Sequence, residues 1–314
     1  MPNIECIFLK DRSTVTPPAS AVLCLGNFDG VHLAHQALIR EAKALRDRID
    51  KDAVCGVFCF REPSWLFLSN DPPKKLCSLS QKLEAFYKAG AEYAYLADFP
   101  SIAALSPADF LKNILKHTCH AVGAVCGYNY RFGAKGAGTP NDLYTFFGDH
   151  TVVEQAILKN GDVVSSSRIR AYLKNGEIAE ANALMGRPFS LSATVLHGKS
   201  LGKKLGAPTA NQVFSSDILV PKHGVYVTRC RVDGVCYRCV SNIGIRPTVD
   251  SNAAVNCETY LIGFQGDLYG RELTVEFLDF LRCETRFSST ESLAKQIQAD
   301  IEAARNWQQT EDFL

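Results

Sequence analysis

The chain has 314 residues, and its 34 lysines and arginines nearly balance its 33 aspartates and glutamates, for a formal net charge of +1. This length is enough for about two domains, and the balanced charge gives no basic surface of the kind that nucleic acid requires. No apolar stretch reaches the roughly 18 residues that span a bilayer, and the N-terminus lacks the basic flank and apolar core of a signal peptide. We therefore expect a cytoplasmic protein whose partners include neither nucleic acid nor a membrane.

The first half of the chain alternates strand-like and helical segments. Short apolar runs predict four strands, over residues 21–28, 53–60, 91–99 and 120–127. Helical spacing of apolar residues begins at Ala37 and recurs over residues 80–90, where it ends at a glycine. Another helix is predicted to begin at Ser106, because Pro107 fits the first turn and Asp109 lies three residues after the cap. Such alternation predicts a parallel sheet with helices on both faces.

Strand patterns dominate after about Gly186. They cover residues 191–196, 224–232, 235–243 and 271–282. Asp233-Gly234 is a hairpin turn signal between two of them. One amphipathic helix closes the chain, and Ser288 with Glu291 offers it a capping box. This half is therefore predicted to be a small antiparallel barrel or sandwich with a docked helix.

The twelve cysteines are scattered and lie mostly in apolar segments. Cys236 and Cys239 have a zinc-like spacing, but their segment alternates like a strand, so the two side chains point to opposite faces. No further ligands follow at the spacing that zinc sites use. We expect buried free thiols in a reducing compartment.

The segment GNFDGVHLAH (26–35) follows the first strand of the predicted sheet. Its histidines, His32 and His35, could form half of a zinc site, lie on an ordinary amphipathic helix, or bind phosphate at a glycine-rich turn. Ligands of open parallel sheets bind beyond the carboxyl ends of the strands, and a helix N-terminus favours anions. A third metal ligand is not apparent, so the phosphate interpretation is favoured. His117 and His120 have the same spacing without the glycines, and we expect them to be solvated or structural.

Two further segments have the composition of phosphate sites. In SSSRIR (165–170), serines cap a helix and arginines add charge, although a capped surface helix would look the same. GKSLGKKLGAPTAN (198–211) is not a Walker A loop, because its glycine spacing and ending differ. A glycine-rich flap followed by Thr209 and Asn211 still suits phosphates and Mg²⁺, whereas the alternative is an irregular barrel loop.

GNFDGVHLAHQALI and VSSSRIR together resemble the signature motifs of the nucleotidylyltransferase superfamily, specifically the adenylyltransferase module of bacterial bifunctional riboflavin kinase/FAD synthetases. CGYNYRFG (126–133) is similar to that module's flavin- and adenine-side loop. The resemblance implies a Rossmann-like domain over residues 1–184 that transfers AMP from ATP to FMN and releases pyrophosphate. It implies that His32 and His35 stabilise the triphosphate and its transition state and that Arg168 contacts phosphates. Nucleotide contacts are implied for Gly26, Asn27, Phe28, Asp29, Gly30, Asn129, Ser166 and Ser167.

Five segments resemble the riboflavin kinase module of the same family: GKSLGKKLGAPTAN, LVPKHGVY (219–226), SNIGIRPT (241–248), CETYLIGFQGDLYG (257–270) and the closing helix. This implies a six-stranded antiparallel β-barrel with a closing helix over residues 185–314. Thr209 and Asn211 are then implied to bind Mg²⁺ and ATP phosphates, and Glu258 to be the general base for the ribityl 5′-hydroxyl of riboflavin. Further ATP contacts are implied for Gly198, Gly202, Lys203, Gly206 and Pro208. An isolated strand glutamate is ordinarily a solvated charge, but five motifs in family order favour the base.

The chain departs from the family pattern at a few positions. Ala34 replaces a glycine, and CFREPSW (59–65) carries an extra residue and lacks a second proline. Basic positions in the flap are altered at Leu201 and conservatively replaced at Lys203. The leading hypothesis is a bifunctional enzyme that uses Mg²⁺, ATP, riboflavin and FMN. A kinase with an impaired or regulatory adenylyltransferase and a flavin-binding module without turnover are the alternatives. Weak homo-oligomerisation is compatible with the sequence.

Overall fold

The computed structural model of the chain describes residues 4–8, 17–197, 207–246 and 254–308. It divides into two compact units, Met1–Ser165 and Ser166–Leu314. These units are defined by compactness and do not test where one functional domain ends and the next begins. The domain boundary predicted after residue 184 therefore stays a prediction.

The first unit is built on a six-stranded sheet in which every pairing is parallel. Its strands are β1 Glu5–Phe8, β2 Ala21–Leu25, β3 Val54–Phe60, β4 Tyr93–Ala97, β5 Ala121–Gly127 and β6 Thr151–Glu154. The spatial order β1-β4-β3-β2-β5-β6 reverses direction between β2 and β5. The predicted parallel sheet is confirmed.

The helices of this unit are α1 Leu33–Ile49, α2 Trp65–Leu68, α3 Leu79–Ala89, α4 Phe99–Ile102, α5 Pro107–Asp109 and α6 Pro140–Phe147. Helix α5 begins at the predicted cap, since the Ser106 hydroxyl accepts from the Asp109 N–H at 3.1 Å, and it continues as a π-helix over Phe110–Thr118. Helix α3 ends at Gly90, which has φ 97°. Single turns of 3₁₀-helix at Ala134–Gly136 and Gly148–His150 and a hairpin of β7 Leu158–Lys159 with β8 Asp162–Val163 complete the unit.

Both faces of the parallel sheet are buried. Leu23 and Leu25 of β2 pack into the core cluster on one face together with Phe58, while Val22 and Cys24 pack into the cluster on the other face. A strand buried on both sides reads as a continuous apolar run, which is why AVLCL shows no polar alternation. With both faces covered, the carboxyl ends of the strands are the natural place for a ligand.

The second unit contains a six-stranded antiparallel sheet. Its elements are α7 Ser166–Asn175, α8 Ile178–Met185, β9 Phe189–Thr194, β10 Ala210–Val213, β11 Gly224–Val232, β12 Val235–Arg246, β13 Ala254–Leu261, β14 Glu272–Arg282 and α9 Thr290–Asn306. The order is β10-β13-β12-β11-β14-β9, and a bridge between Leu196 and Asn211 brings the two edges together into a nearly closed barrel. The Asp233-Gly234 hairpin is confirmed, with φ of 50° and 82° as a type I′ turn requires.

The closing helix α9 lies on the outside of the barrel, where Ala304 packs against Val227 and Leu278. Its predicted capping box is wrong by one residue. Ser289, not Ser288, occupies the N-cap and accepts from the N–H of Ser292 at 3.1 Å. Because the helix starts at residue 290, Glu291 falls at the second helical position, from which its side chain does not complete the box.

The cysteines are free thiols, and most are buried. As predicted from strand alternation, Cys236 is exposed and Cys239 is buried on the opposite face of β12. Burial raises the pKa of the Cys55 thiol to about 12 and that of Cys59 to about 11. These two side chains therefore stay protonated at neutral pH and serve as small apolar groups.

Candidate active sites

The first candidate site lies at the carboxyl ends of β2 and β5. Residues 26–32 follow β2 and lead into α1, and the turn that contains Asn129 follows β5. The two strands are neighbours, and the strand order reverses between them. A crevice opens at such a switch point because the connections leave it in opposite directions. The fold therefore brings the turn before α1 and the Asn129 turn to the same edge of the sheet.

The turn before α1 has an unusual backbone that other segments hold in place. Phe28 and Val31 have positive φ of 52° and 40°, conformations that non-glycine residues rarely adopt, and Gly30 has φ 79°. The buried carboxylate of Asp29 accepts from the Leu76 N–H at 3.0 Å. A Cβ on Gly30 would lie 2.9 Å from a methyl carbon of Leu76, so glycine is required there for space as well as for φ.

His32 and His35 are brought together by one turn of helix. Their rings stack with centroids 3.7 Å apart and planes 15° from parallel, and the His35 ring also contacts Phe28 at 4.9 Å. Imidazole nitrogens donate to phosphate oxygens when they are protonated. Among the described residues, no group of three or more His, Cys, Asp or Glu is arranged to hold a metal ion. The stacked pair at a helix N-terminus fits anion binding better than half of a zinc site.

The two departures of the first unit from the family pattern, Ala34 and the CFREPSW segment, lie beside the turn before α1. Ala34 is the second residue of α1, and its backbone is helical, with no positive φ. In the CFREPSW segment, the Ser64 hydroxyl and N–H lie 3.3 and 3.4 Å from the side-chain oxygen of Asn27. The altered segment therefore supports the turn before α1. Asn129 is exposed in its turn, and a Cβ on Gly127 would lie 3.5 Å from its side-chain oxygen.

The remaining predicted residues of the adenylyltransferase motif lie in the second unit. Ser166 and Ser167 are the first residues of α7, as the capping pattern predicts, and Ser167 and Arg168 are exposed. The guanidinium carbon of Arg168 lies 4.6 Å above the ring of Tyr172. This stacking orients the arginine at the positive end of its helix, where phosphate binding is favoured.

The second candidate site is a row of side chains across the outer face of the barrel. Glu258 on β13 pairs directly with Asn211 on β10 and with Asn242 on β12. The row continues from Asn242 through Val225 to Arg282 on β14. Directly opposed residues share a face of the sheet, so five strands present one row that is polar at the β10 end and holds a cation at the β14 end.

Glu258 stands in this row as an exposed carboxylate. The side-chain amide of Asn256, two residues earlier on the same face, donates to it at 3.1 Å. Its neighbours Cys257 and Thr259 point into the barrel, where Thr259 bonds Ser241 at 2.8 Å. A carboxylate that is accessible yet held by one hydrogen bond is suited to orient and deprotonate an alcohol.

A cavity of about 370 Å³ opens over the row between the barrel and α9. Its apolar wall is formed by Val225, Val240, Tyr260, Phe287, Leu293, Ile297 and Ile301. At its far end the Arg282 guanidinium donates to the Asp300 carboxylate of α9 at 2.7, 3.0 and 3.3 Å, and Gln296 donates to the same carboxylate at 2.9 Å. An apolar slot with a few polar groups at its ends is the usual form of a site for an aromatic ligand.

Thr209 and Asn211 sit where the strand after the glycine-rich segment begins. The side-chain nitrogen of Asn211 donates to the Thr209 carbonyl at 3.1 Å, and Pro208 before them is exposed. Thr209 lines the cavity together with Glu258. The predicted flap residues Gly198, Gly202, Lys203 and Gly206 lie outside the described residues, as does Leu201.

Sequence reasoning missed several residues of this cavity. Asn242, Glu284, Arg282 and Asp300 all line it. The amide nitrogen of Asn242 lies 3.4 Å from a carboxylate oxygen of Glu284. Asn242 falls within the SNIGIRPT motif, which was the available signal, but only the strand register shows that it stands next to Glu258.

Two family models match the chain. The FAD synthetase model covers residues 15–168, and the riboflavin kinase model covers residues 185–308. The bifunctional riboflavin kinase/FMN adenylyltransferase of Listeria monocytogenes is 34% identical over 290 residues, which cover 90% of this chain and 91% of that protein. The chain belongs to the bifunctional riboflavin kinase/FMN adenylyltransferase family. The member from Pseudomonas fluorescens is 36% identical over 90% of this chain and 92% of its own length.

The bifunctional family assignment accounts for both sites. The FAD synthetase match contains the stacked histidines and ends at Arg168, while the riboflavin kinase match contains the cavity and α9. A crystal structure from Streptococcus pneumoniae, described as a macrolide-efflux protein, has a TM-score of 0.87 and 30% identity, covering 97% of this chain and 100% of that one. In the part of this chain that the structure describes, no helix is long and apolar enough to cross a membrane.

Proposed function

We propose that the chain converts riboflavin to FMN at the barrel site and then adenylylates FMN to FAD at the parallel-sheet site, using one ATP in each step. The observation that carries the proposal is the register of Glu258, which stands beside Asn211 at the mouth of an apolar cavity. The substrates are inferred from the family, because the names of relatives that match over about 90% of this chain state both activities. A cytoplasmic location, independence of nucleic acid and weak self-association belong to the same proposal.

In the kinase reaction, the apolar slot holds the flavin ring system and the polar row holds the reacting end. Glu258 accepts the proton of the ribityl 5′-hydroxyl as its oxygen attacks the γ-phosphorus of ATP. The bond from that phosphorus to the β-γ bridging oxygen breaks, and ADP leaves with the electron pair. Such a transition state is loose, so the protein mainly positions the two reactants and removes one proton.

The donor set at Thr209 and Asn211 fits Mg²⁺. A threonine hydroxyl and an asparagine carbonyl are hard oxygen ligands, which this ion prefers. Because the Asn211 nitrogen donates to the Thr209 carbonyl, the Asn211 side-chain oxygen points away from that carbonyl. When bound, Mg²⁺ would neutralise and orient the ATP phosphates.

In the adenylyl transfer, an oxygen of the FMN phosphate attacks the α-phosphorus of ATP. The bond between that phosphorus and the α-β bridging oxygen breaks, and pyrophosphate leaves with the electron pair. No general base is needed, since the FMN phosphate is already an anion. His32, His35 and the N-terminus of α1 stabilise the charge that develops on pyrophosphate, and Arg168 with Ser166 and Ser167 contacts phosphates. Asn129, exposed in the turn after β5, contacts the nucleotide.

The alternative of a kinase with an impaired adenylyltransferase loses its physical basis. It rested on Ala34 and the CFREPSW segment, but Ala34 is an ordinary helical residue and Ser64 supports Asn27. A flavin-storing module would need neither Glu258 in register with Asn211 nor a cation-binding pair.

Incubation with riboflavin, ATP and Mg²⁺, followed by chromatography of the flavins, tests the proposal. FMN should appear first and FAD should follow, and excess EDTA should stop both. Accumulation of FMN without FAD would remove the second activity, and unchanged riboflavin would remove the first.

A further inference from the structure

Lys82 is buried on the inner face of α3. Its side chain is 3% exposed, and it shares that face with Phe86, one helical turn later. Its ammonium nitrogen donates to the backbone carbonyl of Asn27 at 3.1 Å. A lysine therefore reaches from the helical layer to the turn before α1, where the candidate phosphate site lies.

Lys82 forms no salt bridge within the described part of the chain, and the acidic group of the same turn, the buried Asp29 carboxylate, accepts from the Leu76 N–H. The Cys59 thiol is close enough for the lysine to lower its pKa, yet burial still raises that pKa to about 11. The thiol is therefore neutral at physiological pH and supplies no counter-charge. Burying a cation that has no direct salt bridge is costly, so a fold that keeps one at this place gains when an anion binds nearby.

The anion site itself is formed by α1. This helix has 17 residues, its N-cap residue His32 makes no side-chain capping bond, and its first turn contains no acidic residue. Its N-terminus therefore carries partial positive charge directed at the turn. Lys82 adds a full charge at the same turn, where it holds the backbone carbonyl of Asn27 while Ser64 holds the Asn27 side-chain oxygen.

We propose that Lys82 is a positioning residue of the adenylyl-transfer site, whose buried ammonium group holds the turn before α1 and attracts the polyphosphate of ATP and the pyrophosphate product. The inference rests on the proposed function of this site. Lys82 acts through the turn and through its field, and it does not touch the reacting atoms. Its effect should therefore be largest for the triphosphate of ATP and for pyrophosphate, and smaller for FMN and FAD, which carry fewer charges.

Three variants separate charge from hydrogen bonding. Lys82→Met removes both with little change in volume, Lys82→Gln removes the charge but keeps an N–H donor on a side chain one bond shorter, and Lys82→Arg keeps both. Steady-state kinetics are measured forward with FMN and ATP and in reverse with FAD and pyrophosphate. Riboflavin phosphorylation by the same protein is the internal control, because Lys82 has no part in the barrel site.

We expect Lys82→Met and Lys82→Gln to raise the KM for ATP and for pyrophosphate by about 10-fold, while the KM for FMN and FAD changes less than about 2-fold. Lys82→Arg should stay within about 3-fold of the wild type in all four constants. Riboflavin phosphorylation should be unchanged in every variant.

The inference would be overturned if Lys82→Gln kept the wild-type KM for ATP and pyrophosphate, or if flavin and phosphate constants rose equally. Should Lys82→Met unfold the first unit, the Gln and Arg variants alone decide the question. Failure of the wild-type protein to make FAD would instead overturn the proposed function, so the two failures are distinguishable.

Discussion

Replacing Ala34 by glycine, as the family pattern has it, should not improve FAD formation. Ala34 is the second residue of the 17-residue helix α1, is half-buried and has helical backbone angles. A glycine inside a helix is about 1 kcal/mol less favourable than alanine, and less than that in the first turn. We therefore expect a loss of up to about 1 kcal/mol in the free energy of unfolding of the first unit and a change in adenylylation rate of less than about 2-fold.

The assay compares initial rates of FAD formation from FMN and ATP with urea unfolding of the same preparations. Ala44→Gly is the matched control, because Ala44 is an exposed residue in the middle of the same helix. It should lose about 1 kcal/mol of stability and keep the wild-type rate. A rise of 3-fold or more in Ala34→Gly, absent from the control, would show that the Ala34 methyl obstructs ATP and would refute the argument from helical geometry.

Three other substitutions or treatments test separate parts of the structure. Ser78→Ala removes the capping box of α3 and should cost about 1 kcal/mol in urea unfolding; an unchanged midpoint would contradict the cap. Iodoacetamide at pH 8 should modify the exposed Cys236 but not Cys55, whose pKa burial raises to about 12, as peptide mass spectrometry can show. Arg282→Met should raise the KM for riboflavin several-fold and destabilise by about 1–2 kcal/mol, because it leaves the nearly buried Asp300 carboxylate without its cation; wild-type values for both would contradict the role of this pair.

Local patterns predicted the elements of the fold, because they depend on neighbours in the chain. The apolar run of β2, the cap at Ser106 and the Asp233-Gly234 turn are each fixed within a few residues. The capping box of α9 was misplaced because serines stand at both 288 and 289, and composition alone does not decide which one caps. The π-helix over Phe110–Thr118 had no signal in the pattern, since its apolar spacing also fits an α-helix.

Residues of the two candidate sites could be predicted from the sequence only where they belong to a family motif. Family motifs led to His32, His35 and Glu258, but their roles stay predictions. Asn242 became visible through the register of β12 against β13, which depends on residues distant in the chain. The burial of Lys82 has a sequence signal, because a lysine on the apolar face of a helix, four residues before Phe86, is unusual. Its contact with Asn27, which is 55 residues away in the chain, has no sequence signal.

The central claim is that one chain holds two independent active sites, and selective inactivation tests it most directly. Glu258→Gln and His32→Asn proteins are each supplied with ATP and Mg²⁺ and with either riboflavin or FMN. We predict that Glu258→Gln loses about 10²–10⁴-fold in riboflavin phosphorylation while it still converts FMN to FAD at the wild-type rate. The His32→Asn protein should show the reverse, with FMN accumulating from riboflavin. Wild-type phosphorylation by the Glu258 variant, or loss of both reactions in either variant when both proteins are folded, would contradict the account.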